Sequence, residues 1–313
     1  MQLDDLLLSQ PAIDYKPLIV TPKTLLVDVI TLMNQKRIHC CSLSSVDSPL
    51  DALTAYQTGS SCVLVMQGTE LLGIFTERDI VRLTADSVDF GKMTIAEVMT
   101  QPVVTLEQAV FKDVFAALFL FRRYRIRHLP IVGQKGELIG VVSHNSIRSI
   151  LRPVHLLKFM RVADVMTTHV IRAPMTASVL TLAQVMEEFR ISCVVITEEH
   201  PQLDLGQFVH IPVGIVTEED IVQFQAMQVN LSEVLAQTVM STQLFLLNPE
   251  DSLWTALEEM QRRQTPRLVV SWNGGTGIGI VTQSSLLRVL NPVQVYEVMK
   301  TLQQTVRWLQ NGS

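Results

Sequence analysis

The stretch Gly73-Ile74-Phe75-Thr76-Glu77-Arg78-Asp79-Ile80-Val81 constrains this chain more than any other, because it returns three times. The returns are Gly140-Val141-Val142-Ser143-His144-Asn145-Ser146-Ile147, Gly214-Ile215-Val216-Thr217-Glu218-Glu219-Asp220-Ile221-Val222 and Gly279-Ile280-Val281-Thr282-Gln283-Ser284-Ser285-Leu286-Leu287. Each copy reads as a glycine, a short apolar strand, a Ser or Thr, and then an amphipathic helix. The hydroxyl residue stands at the N-cap, where its oxygen can accept a bond from an orphan backbone N–H one turn on. A helix N-terminus with free N–H groups is also a natural anion site. The unit therefore supports two readings: an ordinary capped helix, or a pocket for a phosphate or ribose.

The repeated glycines fall at 73, 140, 214 and 279, so the periods are 67, 74 and 65 residues. Solenoid repeats run about 20–50 residues, so these are four small tandem domains. A unit of about 60 residues buries too little surface to be stable alone, which predicts pairing of copy one with two and three with four. A second signature, Val98-Met99-Thr100, Val165-Met166-Thr167 and Val239-Met240-Ser241, opens copies two to four. A long helix is expected after each, over Val110–Arg123, Val179–Arg190 and Ser252–Arg263. In copy one, Leu18-Ile19-Val20 reads as the opening strand, and Leu25, Leu26, Val29, Ile30, Leu32 and Met33 give the apolar helix face. The order is strand, helix, strand, strand, helix, four times. The extra length of copy three lies between its strands, at Glu198 to His210.

Whole-chain properties narrow the classes. With 48% hydrophobic and 18% charged residues, the chain is globular. Its net charge of −5 argues against a nucleic-acid partner. A mean hydropathy of +0.29 raises the question of a membrane. No uncharged apolar run approaches the ~18–20 residues that a spanning helix needs, so no membrane span is expected. The start, Met1 to Leu8, is acidic and lacks the basic segment of a signal peptide. Cys40, Cys41, Cys62 and Cys193 show no disulfide framework, which fits a reducing, cytoplasmic setting. His39 beside Cys40 has no second ligand pair, so no metal is assigned. Enzyme motifs are missing: there is no P-loop, no His-Glu-x-x-His and no Gly-x-Ser-x-Gly. The run Gly274 to Gly279 leads into a strand and reads as a turn. We expect no enzyme and no catalytic cofactor.

With four copies in register and Arg127-His128-Leu129-Pro130-Ile131-Val132 in the second, the sequence resembles the CBS domain family, named for cystathionine β-synthase, over nearly its whole length. The resemblance implies an α+β (mixed α/β) fold of four β-α-β-β-α repeats paired as two Bateman modules. The arrangement looks like the gamma subunit of AMP-activated protein kinase and like sensory regions of bacterial signalling proteins. The expected organisation is an arm over 1–17, repeats over 18–90 (with an insertion at 34–60), 91–152, 153–228 and 229–291, and a C-terminal helix over 292–313. Val295, Met299, Leu302, Val306 and Leu309 give that helix an a/d seam. It would pack either on its own domain or on a mate.

The family pattern implies binding of adenosine-containing ligands between paired copies. The Asp of Thr-x-x-Asp would hold the ribose hydroxyls, and the Thr would cap the helix and reach ribose or phosphate. A basic residue just before the middle strand of the partner copy would face the phosphates. The Asp is present as Asp79 and Asp220 and is replaced by Ser146 and Ser285. The pre-strand residue is Ser61, His128, Ser192 and Arg267 in turn. One competent cleft per module follows: Thr76 and Asp79 with His128, and Thr217 and Asp220 with Arg267. A histidine of ordinary pKa at position 128 would make affinity depend on pH near neutrality. The ligand classes implied are AMP, ADP or ATP, with S-adenosylmethionine or a cyclic dinucleotide as alternatives. The implied role is regulatory, in a homodimer that controls an output signalling domain of the same or a partner chain. The alternative is a ligand-free dimerisation or docking module.

Overall fold

The computed structural model describes residues 12–42, 61–111, 114–144, 146–147, 157, 160–202, 207–263, 265–273 and 277–289. The C-terminal helix over 292–313, residues 1–11 of the arm and residues 43–60 of the insertion lie outside this set.

Each repeat places one three-stranded sheet under its helices. Repeat 1 runs β2 (Leu18–Val20), α1 (Leu26–Ser42), β3 (Cys62–Gln67), β4 (Glu70–Thr76) and α2 (Glu77–Ala85), after a short β1 (Ile13–Asp14). Repeat 2 has α3 (Ile95–Val98), β5 (Leu106–Glu107), α4 (Val114–Tyr124), β6 (His128–Val132) and β7 (Leu138–Ser143). Repeat 3 has β8 (Arg172–Pro174), α5 (Val179–Phe189), β9 (Cys193–Gln202), β10 (Gln207–Thr217) and α6 (Glu218–Ala226). Repeat 4 has α7 (Ala236–Val239), β11 (Leu246–Leu247), α8 (Leu253–Arg262), β12 (Arg267–Trp272), β13 (Gly277–Thr282) and α9 (Gln283–Val289). In every repeat the first strand pairs parallel to the second, and the second antiparallel to the third.

The first long helix of each repeat buries the same stripe. Leu26, Val29, Ile30 and Met33 correspond to Val114, Ala117, Leu118 and Phe121, to Val179, Leu182, Ala183 and Met186, and to Leu253, Ala256, Leu257 and Met260. The spacing i, i+3, i+4, i+7 puts four side chains on one helical face, which covers the sheet. The helix of repeat 2 begins at Val114 among the described residues, later than the Val110 expected. In repeat 3 the described residues of the extra length, 198–202 and 207–210, are strand rather than loop. They lengthen the hairpin, with Glu198 opposite Ile211 and Gln202 opposite Gln207.

The Val-Met-Thr segments stand at the start of repeats 2 to 4 in the chain, but they do not pack there. Each packs on the other repeat of its module. Thr100 exchanges backbone bonds of 2.8 and 3.1 Å with Ile74, and Ile95 and Val98 enter the core of repeat 1. Thr167 does the same with Ile280 of repeat 4, and Ser241 with Ile215 of repeat 3. The exchange closes at the N-terminal end: Ile13 and Asp14 pair with Val142 and Val141, extending the sheet of repeat 2. This trade ties repeats 1 and 2, and repeats 3 and 4, into the two predicted modules. It also explains the repeated glycines. A Cβ on Gly73 would lie 3.0 Å from Met99 Cβ, and one on Gly214 2.9 Å from Met240 Cβ.

The sheets of each module meet through apolar side chains. Leu64 and Ile74 pack with Val141, and Val195 packs with Val269 and Ile280. The two modules meet chiefly through repeats 1 and 3. Val81 of α2 joins the core of repeat 3, Val222 of α6 joins that of repeat 1, and Gln225 Nε2 donates to Thr84 Oγ1 at 2.9 Å. On the other side Ser284 Oγ lies 3.3 Å from His144 Nδ1, linking repeats 4 and 2.

Candidate functional site

This packing aims the start of each closing helix at one central cavity of about 850 Å³. The residue just after each hydroxyl cap lines it: Glu77, His144, Glu218 and Gln283. These residues are fixed from behind, because their backbone N–H groups donate to Ser61, Arg127, Ser192 and Pro266, just before the middle strands. The cavity is therefore built from two sets of backbone ends: helix N-termini and the entries to middle strands.

Charge separates this cavity from the rest of the molecule. Arg78, Arg122, Arg125, Arg127, Arg190 and Arg267 line it, against the carboxylates Glu77, Asp79, Glu218 and Glu219. Six guanidinium groups against four carboxylates leave an excess of two positive charges, in a chain whose net charge is −5. Such a concentration attracts and orients an anion. Arg125 and Arg190 sit just past the ends of α4 and α5 in the left-handed conformation, each with φ of 54°. That region disfavours side chains other than glycine, and it turns both arginines at the helix ends toward the cavity wall.

The six residues singled out by the repeat pattern are placed unequally. Thr76, Asp79, His128 and Arg267 line the cavity, and Thr217 and Asp220 are not among its lining residues. Both Asp side chains reach back to their caps. Asp79 Oδ2 accepts from Thr76 N at 2.9 Å and Thr76 Oγ1 at 2.8 Å. Asp220 Oδ2 accepts from Thr217 N at 2.8 Å and Thr217 Oγ1 at 2.7 Å. In the even repeats Ser146 Oγ and Ser285 Oγ accept from Ser143 N and Thr282 N, so serine reproduces part of the cap without the charge.

The pre-strand residues meet in pairs. Ser61 Oγ lies 2.5 Å from His128 Nε2, and Arg267 donates to the Ser192 carbonyl at 2.7 Å. His128 is not the partly charged group that its ordinary pKa suggests. Burial, then repulsion from His144 and Arg127, pushes its pKa down to about 3. It is a neutral imidazole at physiological pH, and its hydrogen bond to Ser61 ties repeat 2 to repeat 1. Burial also pushes His144 down to about 4, with Arg127 adding repulsion. Arg267 keeps its charge although only 9% exposed. Burial opposes its guanidinium, and Cys193, Glu219 and Glu218 outweigh that, so its pKa rises.

The repeat pattern gave no reason to select Arg78, Glu218 or Arg190. Glu218 of repeat 3 is the most enclosed charge of the inter-module contact, its side chain 3% exposed. Arg127 Nη1 lies 2.9 Å from Glu218 Oε2, and Arg78 Nε 3.6 Å from Glu218 Oε1. These two arginines come from repeats 2 and 1. Burial and then the nearby Arg127 charge pull the Arg78 pKa down, and Glu218 opposes that shift. The signal available in the sequence was positional: both residues of Thr-x-x-Asp written as "x" face the cavity in repeats 1 and 3. Among the described residues no cluster could hold a metal ion, and no helix is long and apolar enough to cross a membrane.

Comparison with known proteins bears on the fold. The family model described as CBS domain matches residues 12–86, 95–153, 162–226 and 235–292. A crystal structure of a Methanocaldococcus jannaschii protein, described as a candidate archaeal homologue of g-AMPK, superposes with a TM-score of 0.69. The two share 19% identity over 90% of this chain and 99% of that one. An uncharacterised conserved protein from Pyrococcus horikoshii gives 0.54, at 14% identity over 93% and 100%. Among curated relatives, a Methanopyrus kandleri protein is 36% identical over 28% of this chain and 44% of its own length. An inosine-5'-monophosphate dehydrogenase of Nitrosopumilus maritimus is 34% identical over 34% of this chain and 21% of its own. This chain thus spans less than half of either curated relative.

Proposed function

Because the chain belongs to the CBS domain family, its four matches covering most of the sequence, we propose that it is a regulatory sensor whose central cavity takes an adenine nucleotide. The observation that carries this reading is the cavity's arginine excess, set where four repeats converge. The phosphates would lie among Arg78, Arg127 and Arg267, where planar forked donors match phosphate oxygens. Asp79 would accept from the ribose hydroxyls through Oδ1, which Arg82 approaches only to 3.5 Å, since Oδ2 is taken by the cap. Thr217 and Asp220 act as the cap of α6 in this reading, and His128 holds the wall as a neutral group.

A ligand that touches all four repeats has what a signal requires. It can favour one arrangement of the modules over another, because its contacts differ between them. AMP, ADP and ATP are the first candidates, and S-adenosylmethionine and cyclic dinucleotides the alternatives. The output would be a signalling domain in the same chain or in a partner, with a homodimer as the working unit. No catalytic role is part of this reading.

A thermal-shift and calorimetric panel of these ligands tests it. A nucleotide at 100 times its Kd stabilises by about 2.7 kcal/mol through mass action. The shift is expected in the wild type and strongly reduced in Arg267→Ala and Asp79→Ala. No shift with any of these ligands, in protein shown by its absorbance to carry none, would leave the ligand-free docking module.

A further inference from the structure

Arg78 and Arg127 converge although they carry the same charge, and the Arg127 charge works against keeping Arg78 protonated. What holds them together is Glu218, within 2.9 Å of one and 3.6 Å of the other, with its own side chain almost fully enclosed. All three side chains line the central cavity. The arginines belong to the first module and the carboxylate to the second. A buried carboxylate between two guanidinium groups has the same recognition chemistry as a phosphate oxygen pair: planar or near-planar acceptors, negative charge, forked donors.

We propose that Glu218 is a built-in competitor for the ligand's phosphate, and that it sets which anions the cavity accepts by their charge. This rests on the reading of the cavity as an anionic-ligand site. Without ligand, Glu218 occupies the two arginines and ties the modules together. A phosphate entering the cavity takes those arginines over, so binding is achieved against the loss of an inter-module ion pair. The carboxylate remains in the cavity afterwards and repels further negative charge. With the present residues the wall carries an excess of two positive charges, matched to a monophosphate dianion rather than to a triphosphate. Neutralising Glu218 removes both the competition and the repulsion, and raises the excess to three.

The test compares wild type with Glu218→Gln, a side chain of the same shape without the charge. Titrations with AMP, ATP and inorganic pyrophosphate are read by calorimetry at fixed ionic strength. Expected is tighter binding of all three in the variant, about tenfold for AMP and more for ATP, so that the AMP-to-ATP preference narrows. Unchanged or weaker binding of every anion overturns the proposal, and so does an equal gain for AMP and ATP as regards charge selection. Failure of the wild type to bind any of them refutes the parent reading instead, which keeps the two distinguishable. If Glu218→Gln does not fold, Glu218→Asp serves, since its carboxylate is one methylene shorter and holds Arg127 less closely. A smaller gain in affinity is then expected, and no gain overturns the proposal.

Discussion

Replacing Gly73 by alanine tests the exchanged segments directly. The new Cβ would lie 3.0 Å from Met99 Cβ and 2.7 Å from its Cγ, against an ordinary carbon separation of about 3.5–4.0 Å. The sulfur end of a methionine can swing away cheaply, but its Cβ moves only with the backbone. That backbone is fixed by the two bonds between Thr100 and Ile74, at 2.8 and 3.1 Å, so relief means stretching them. Overpacking of this kind costs about 1–3 kcal/mol. Loss of glycine freedom in the unfolded chain returns about 0.4–1 kcal/mol. A net loss of about 1–2 kcal/mol is expected, read as a lower urea midpoint at unchanged slope. The same substitution at the other three glycines should follow the closeness of the contacts that each new Cβ would meet. Gly140→Ala should cost most, because its Cβ would meet the Asp14 backbone. Gly214→Ala should match Gly73→Ala, and Gly279→Ala should cost least, meeting only the Met166 sulfur at 3.1 Å and looser contacts beyond. In a double-mutant cycle, Gly73→Ala and Met99→Ala should be non-additive by about 0.5–3 kcal/mol. Equal costs at all four glycines, or additivity in that cycle, would refute the exchange as the reason for the glycines.

Other outcomes can be checked alongside. Arg267→Met should lose about 1.5–3 kcal/mol of stability, the net worth of a hydrogen bond from a charged group, because the Ser192 carbonyl keeps only the Glu218 N–H, and should also weaken anion binding; denaturation and calorimetry measure the two separately. Asp79→Ala and Asp220→Ala should each cost about 0.5–2 kcal/mol through the lost caps, but only Asp79→Ala should weaken nucleotide binding. For His128 and His144 the folded pKa values, about 3 and about 4, lie below the unfolded value near 6.5. The unfolded chain therefore binds more protons in that window, so stability is full above about pH 6.5 and falls as pH drops toward 4. Each histidine contributes a slope of up to about 1.4 kcal/mol per pH unit, and a pH series of urea midpoints on His128→Gln should show a shallower fall than wild type.

The apolar stripes, the capping residues and the fourfold spacing are local, and the sequence displays them openly. From these the repeat order, the mixed α/β fold and the pairing of neighbouring repeats all follow, because a helix face or a strand alternation is written within a dozen residues. The roles of Thr76 and Asp79 as cap residues were legible for the same reason. Three things were decided only by tertiary structure. Met99 belongs to repeat 2 in the chain, yet it packs on repeat 1, since chain proximity does not say across which interface a short segment will find its partner strand. His128 is neutral because burial, and then the neighbouring His144 and Arg127, oppose its protonation, none of which its position in the repeat reveals. Glu218 stands in a variable slot of its motif, and only the approach of two other repeats brings Arg78 and Arg127 to it. Local periodicity determines the elements of this protein, and the convergence of four separate repeats determines its charge-lined cavity.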